Sequence, residues 1–80
     1  TERVNNALQR AERRDIVDAL NDAESLVYFL RSPSTCQRAI ADPATSYWLR
    51  DLLQSGISQE EALSLQEALA LRYQNHINAA

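Results

Sequence analysis

Helix breakers and strand patterns are scarce in this sequence. One glycine and two prolines occur in 80 residues, and no stretch shows the two-residue alternation of a half-buried strand. This pattern excludes a β-sheet and leaves helices to account for most of the chain. We predict an all-α fold, a compact bundle of about five helices within a single domain, residues 1–80. The predicted helices are approximately 2–13, 15–31, 35–41, 43–55 and 59–76.

Cysteine and histidine occur once each, and lysine is absent. The single cysteine, Cys36, leaves no disulfide within the chain, and with one histidine, His76, the paired Cys/His spacing of a zinc site is absent. The sequence therefore predicts no metal and no cofactor, and it favours a reducing compartment. All eight basic residues are arginine, which favours planar, bidentate contacts to carboxylate or phosphate.

Long hydrophobic runs are also missing. The longest run of large apolar residues is LVYFL, residues 26–30, far short of the roughly 18 residues that span a bilayer. The opening TERVNNALQR lacks the basic-then-apolar layout of a signal peptide. We therefore expect a cytoplasmic, acidic protein without a membrane segment. A chain this short buries only about 60% of its unfolded surface, so a partner would strengthen its core.

In the first half of the chain, capping signals set the expected helix ends. The apolar stripe changes phase after Ala11, and Asp15 can cap the second helix, so we predict a break near residues 13–15. One long bent helix over residues 1–31 is the competing interpretation. Ser34 or Thr35 can cap a short third helix.

In the second half, Asp42 followed by Pro43 predicts the start of the fourth helix. That helix is expected to bury a set of five apolar residues, Ala44, Trp48, Leu49, Leu52 and Leu53. Gly56 fits a left-handed helix terminator, and Ser58 with Glu61 has the spacing of a capping box. The last helix is expected to be the longest after the second.

The connection around Gly56 is also compatible with a helix-turn-helix DNA-binding motif. In that motif the second helix lies in the major groove, where its exposed side chains are close to the phosphate polyanion. Residues 58–77 hold three acids and one arginine, a net charge of −2, which would repel phosphates. We therefore interpret the connection as a chain reversal.

Part of the same connection resembles the first loop of ubiquitin-associated domains, in which a leucine-rich helix, a glycine and a large apolar residue precede a serine- and acid-led helix. The matching residues are Leu52, Leu53, Gly56, Ile57, Ser58, Glu60 and Ala62. Ser55 stands where that family usually has Met, and no turn follows Leu69 to begin a third helix. We attribute the resemblance to capping chemistry and transfer no binding residues.

Two helices carry more apolar surface than a solitary bundle needs. In the second helix Tyr28 and Phe29, with the neighbouring apolar residues, put apolar side chains on nearly all sides of the helix, and Phe29 points away from the core stripe. In the last helix Leu63 and Ile77 are expected on the core side and Leu71 opposite, with Gln66 inside the apolar face. We interpret these features as a partner interface in which Gln66 fixes the register. The alternative is a central second helix and an incidental exposed leucine.

The first fourteen residues are the basic part of the chain, with four arginines against two acids. Arg3, Arg10 and Arg14 share one flank of the first helix and could grip phosphates. The alternative, favoured by the acidic balance of the whole chain, is pairing with carboxylates of this chain or of a partner. The nearest acids in sequence are Asp15, Asp18, Asp22 and Glu24.

Two further residue sets are candidates for chemistry. Cys36 in a helix first turn could form a nucleophilic dyad with His76, but nothing in the sequence brings the two together. Tyr47 and Trp48 could stack bases, although helical spacing favours Trp48 in the core. We therefore predict that the chain is not an enzyme.

The sequence thus predicts a small non-enzymatic interaction or regulatory protein of the adaptor, inhibitor or chaperone type. It would act through an apolar helix surface, binding itself or another protein as a homo- or hetero-oligomer. The expected partner-binding residues are Tyr28, Phe29, Leu71, Arg3, Arg10 and Arg14. The alternative is a nucleic-acid-binding regulator that uses the arginine flank. No small-molecule ligand and no membrane are expected.

Overall fold

A computed structural model describes residues 2–79, so residues 1 and 80 of the predicted domain lie outside the described range. The described residues form five helices and no strand, which confirms the all-α bundle. In chain order the helices are α1 (Glu2–Ala11), α2 (Ile16–Phe29), α3 (Pro33–Ala41), α4 (Tyr47–Gln54) and α5 (Gln59–Ala79).

The first segment is two helices rather than one bent helix. Asp15 lies outside the helical region at φ −57° and ψ 132°. Its carboxylate accepts hydrogen bonds from the backbone N–H groups of Val17 at 2.8 Å and Asp18 at 3.4 Å. These N–H groups have no partner within the helix, so the cap both ends the turn and starts α2.

Around α3 the structure corrects the expected helix ends. Ser32, not Ser34 or Thr35, caps α3, and Pro33 takes the first helical position, where its missing N–H is not needed. Asp42 ends α3 instead of starting α4, because its carboxylate accepts from Ala44 N at 2.9 Å and forms a local turn.

The start of α4 shifts for the same reason. Ser46 caps the helix by accepting from Leu49 N at 3.2 Å. The predicted start at Pro43 is therefore wrong, and Ala44, expected in the core, is exposed on the turn.

The α4–α5 joint has the geometry of a left-handed terminator and a capping box. Gly56 has a φ of 77°, which other residues adopt at a cost. Ser58 N donates to Glu61 Oε1 and Glu61 N donates to Ser58 Oγ, each at 3.1 Å.

The longest helix is α5 with 21 residues, whereas α2 has 14. The expectation that α2 is the longest is wrong. Two features separate these helices: Ser32 and Pro33 force the chain out of α2, while α5 meets neither glycine nor proline.

The core lies where α2 packs on α5, with α1, α3 and α4 around this pair. Leu26 of α2 and Leu65 and Leu69 of α5 are fully buried at its centre. Within residues 2–79, no buried polar or charged residue interrupts it. No helix in this range has the length and hydrophobicity needed to cross a membrane.

Candidate interaction surfaces

The arginine flank of α1 is paired within the chain. Arg3 Nη1 lies 3.0 Å from Glu61 Oε1 of α5, and Arg10 Nη2 lies 2.8 Å from Asp51 Oδ2 of α4. Both pairs are partly exposed, so each adds little stability by itself. Their effect is to hold α1 against the α4–α5 joint.

The third arginine of the flank belongs to a denser cluster. Arg14 Nη1 lies 2.8 Å from Asp22 Oδ2 of α2, an ion pair without the alignment of a hydrogen bond. The guanidinium carbon is 5.5 Å from the centroid of the Trp48 ring, a cation–π distance. Asp22 also accepts from Ser46 Oγ, so the cluster joins the α1–α2 turn to α2 and to the start of α4.

Trp48, the aromatic member of the Arg14 cluster, is a core residue. It is 4% exposed, and its Nε1–H donates to the backbone oxygen of Ala7 at 3.1 Å. Tyr47, its neighbour in sequence, is 79% exposed. The two rings therefore do not form one stacking platform.

All three guanidinium groups of the flank thus face carboxylates of their own chain. A phosphate binding there would have to displace Glu61, Asp51 or Asp22. The sequence pointed to Asp22 among nearby acids. It did not identify Glu61 and Asp51, which lie 58 and 41 residues away from their arginines, because such pairings depend on the packing of helices.

The solvent side of α5 carries unpartnered aliphatic side chains, which we call the α5 outer face: Leu63, Ala70, Leu71 and Ile77. The three large ones, Leu63, Leu71 and Ile77, are 43%, 59% and 52% exposed, respectively. Leu71 is outside the core stripe as expected, but the placement of Leu63 and Ile77 on the core side is wrong. The buried stripe of Ala62, Leu65 and Leu69 is narrow because only α1 and α2 cover the helix extensively. Gln66 and Tyr73 are half-buried.

A second candidate surface is a groove between the end of α2 and α3. It has a volume of about 240 Å³ and is lined by Tyr28, Phe29, Thr35, Arg38, Ala39 and Asp42. Tyr28 is 55% exposed, and its ring meets that of Phe29 edge to face with centroids 5.7 Å apart. Phe29, expected on the outside, is half-buried and packs against the core.

The groove lies in a second basic region, so residues 1–14 are not the only basic part of the chain. Residues 26–50 hold Arg31, Arg38 and Arg50 against a single acid, Asp42. This excess is hidden when residues 15–80 are summed together, because they are acidic as a whole. The positive excess is visible only when a segment as short as two helices is summed by itself.

The remaining candidates stay apart. Cys36 is half-buried in α3, which packs on α2 and α4. His76 is exposed and lines a depression with Ala11, Arg14, Ile16 and others. Among residues 2–79, no group of three or more His, Cys, Asp or Glu side chains is placed to hold a metal ion.

Comparisons with protein-family models, with curated proteins and with solved structures found no match.

Proposed function

We propose that this chain is a small non-enzymatic interaction protein of the adaptor or inhibitor type, and that it works as a homodimer formed through the α5 outer face. The observation that carries the proposal is the exposure of Leu63 and Ile77, at 43% and 52%, on the longest helix. Large apolar side chains exposed along one side of a helix are typical of protein contacts.

The alternative, a nucleic-acid-binding regulator, has less support. It depends on Arg3, Arg10 and Arg14, and each of them is engaged by a carboxylate of this chain. Counterion release by free guanidinium groups supplies most non-specific affinity for nucleic acid. Guanidinium groups already paired with carboxylates would contribute much less of it.

A second copy of the same helix fits the α5 outer face. Leu63, Ala70 and Ile77 are seven residues apart, which is the spacing that keeps a seam facing a partner helix over two turns. The small side chain of Ala70 lies midway between the larger two. Two copies can therefore cross closely at Ala70, with Leu63 of one against Ile77 of the partner subunit.

Charge selects the antiparallel arrangement. Glu60 and Glu67 lie in the first half of α5, and its second half holds only neutral residues and Arg72. A parallel pair would put Glu67 beside its own copy, which is unfavourable. An antiparallel pair about Ala70 puts Glu67 opposite residues 73–74. Gln66 then lies opposite Gln74 of the partner subunit, where a hydrogen bond would fix the register.

The size of the contact predicts a modest affinity. The 21 residues of α5 extend over about 31 Å. One helix pair buries less than the roughly 800 Å² per partner of standard interfaces. We therefore expect a dissociation constant in the micromolar range, so that the dimer forms and separates with concentration.

Sedimentation equilibrium from low to high micromolar concentration tests the proposal. The wild-type mass should rise toward that of a dimer, and the variants Leu63→Asp and Ile77→Asp should stay monomeric. Tyr47→Asp is the matched control, since Tyr47 is the most exposed large apolar side chain and lies on α4. It should dimerise like the wild type. A wild-type monomer at high micromolar concentration would overturn the proposal.

A further inference from the structure

The groove between α2 and α3 has walls that favour an apolar side chain. Four of its six lining residues, Tyr28, Phe29, Thr35 and Ala39, carry rings or methyl groups. The Thr35 hydroxyl is engaged because it donates to Phe29 O at 2.9 Å. The groove therefore offers ring faces and methyl groups at its base.

The polar side chains that line the groove are Tyr28, Thr35, Arg38 and Asp42. One oxygen of the Asp42 carboxylate accepts from Ala44 N at 2.9 Å, which ties this side chain to its own turn. Arg38 is exposed, and within residues 2–79 its guanidinium contacts no carboxylate or carbonyl oxygen. The Tyr28 hydroxyl can also donate. Beside Arg38 a ligand would have to supply an acceptor, and a charged acceptor would be favoured.

The surroundings strengthen this preference. The Arg31 guanidinium carbon lies 5.7 Å from the centroid of the Tyr28 ring, so it adds positive charge at the rim. Arg50 donates to Ile40 O at 3.0 Å and to Asp42 O at 2.7 Å, which adds charge behind the end of α3. In a chain with a net charge of −3, this region therefore attracts anions.

We propose that the groove binds a segment of a partner protein in which a large apolar side chain is next to one or more carboxylates. The apolar side chain packs on Tyr28, Phe29 and Ala39. A neighbouring Asp or Glu forms a bidentate pair with Arg38, which fixes the orientation of the segment. This site goes beyond the proposed function because it uses α2 and α3 rather than α5.

The test is a titration of the isotope-labelled chain, followed by its backbone amide resonances. The probe is a short blocked peptide with Phe and Leu among Asp residues. One comparison peptide has each Asp replaced by Asn, and another has Phe and Leu replaced by Ser. The first peptide should shift resonances of residues 28–42, and both comparison peptides should bind far more weakly. Equal binding of the Asn peptide, or shifts centred on α1, would overturn the proposal.

Matched variants assign the contact to single side chains. Arg38→Gln should weaken binding about tenfold, the value of one charge-assisted pair, while Arg13→Gln removes another exposed arginine and should leave binding unchanged. Tyr28→Ala should weaken binding and Tyr47→Ala should not. Equal losses for Arg38→Gln and Arg13→Gln would mean diffuse attraction and overturn the site.

Two further measurements separate this site from other interpretations. The monomeric variant Ile77→Asp should bind the peptide like the wild type, so a failure of the dimer proposal would not overturn the groove proposal. Inorganic phosphate or a short RNA that shifts the same resonances more strongly than the peptide would assign the groove to phosphate and overturn the peptide proposal.

Discussion

The α1–α4 side of the molecule and the α5 outer face differ in how their side chains are used. On the α1–α4 side Arg3, Arg10 and Arg14 meet carboxylates, and Trp48 donates to Ala7 O. On the α5 outer face, Leu71 and its neighbours point to solvent. The arginine flank is a candidate binding site in sequence, but its guanidinium groups pair with carboxylates of the same chain. The apolar excess of α5, also a candidate in sequence, keeps its large side chains exposed.

The difference shows why clustering in sequence is a weak guide to a binding site. An arginine contributes to recognition only if its charge is available, and four of the eight arginines, Arg3, Arg10, Arg14 and Arg72, are in ion pairs with acids of the same chain. Arg13, Arg31 and Arg38 are exposed, and none of them is in an ion pair within residues 2–79. Of these three, Arg38 lines the apolar groove, and this combination makes it the better candidate.

Replacing Trp48 should lower the free energy of unfolding more than any other substitution considered for the α1–α4 side. Trp48→Ala leaves a cavity, the Ala7 carbonyl without its donor and Arg14 without its ring. We expect the free energy of unfolding to fall by about 3–5 kcal/mol, measured by urea denaturation. Tyr47→Ala, which truncates the exposed neighbouring ring, should change it by less than about 0.5 kcal/mol. A similar loss for both variants would contradict the core role of Trp48.

Removing the Arg14–Asp22 ion pair, which lies next to the Trp48 ring, should cause the next largest loss in the free energy of unfolding. Arg14→Gln leaves Asp22 without its cation, and the two side chains are only 25% and 21% exposed. The expected loss is about 1–2 kcal/mol, with Arg13→Gln near zero as the control. If thermal unfolding shows the two variants to be equally stable, the Arg14 contact is incidental.

Substitutions at Gly56, in the connection between α4 and α5, test the effect of backbone geometry alone. A side chain added at Gly56 meets no atom within 4 Å, so only its φ of 77° matters. Gly56→Ala should therefore cost about 1–2 kcal/mol, and Gly56→Asn should cost less, since Asn tolerates this conformation. Chemical denaturation measures both. A Gly56→Ala variant as stable as the wild type would show that the joint relaxes.

The α5 outer face should tolerate change most readily in the monomer. Ile77→Asp, measured at low micromolar concentration, should alter the free energy of unfolding by less than about 0.5 kcal/mol, because Ile77 is 52% exposed. The same variant should lose stability relative to the wild type as concentration rises, since dimerisation stabilises only the wild type. Equal stability at every concentration would contradict the dimer.

Local chemistry explains which parts of the fold were predictable. The break at Asp15 and the terminator at Gly56 depend on residues within one turn of each other, so sequence spacing identifies them. The predicted helix start at Asp42–Pro43 was wrong because the same pair can also form a turn, and in this turn Asp42 O accepts from Arg50 Nη2 at 2.7 Å.

The candidate surfaces were less predictable for the same reason. Leu71 could be placed because it lies opposite a clear stripe. Leu63 and Ile77 could not, because the width of the buried stripe depends on how many helices cover α5. The partners of Arg3 and Arg10 are distant in sequence and required the packed structure.

Disulfide trapping between single cysteines tests the α5 dimer most directly. In a Cys36→Ser background, Ala70→Cys should form a covalent dimer under mild oxidation, because Ala70 meets its own copy at the two-fold axis. Leu63→Cys alone should not, but an equal mixture of Leu63→Cys and Ile77→Cys chains should form the mixed dimer. Efficient trapping of Leu63→Cys with itself, or no trapping at Ala70→Cys, would contradict the antiparallel pair.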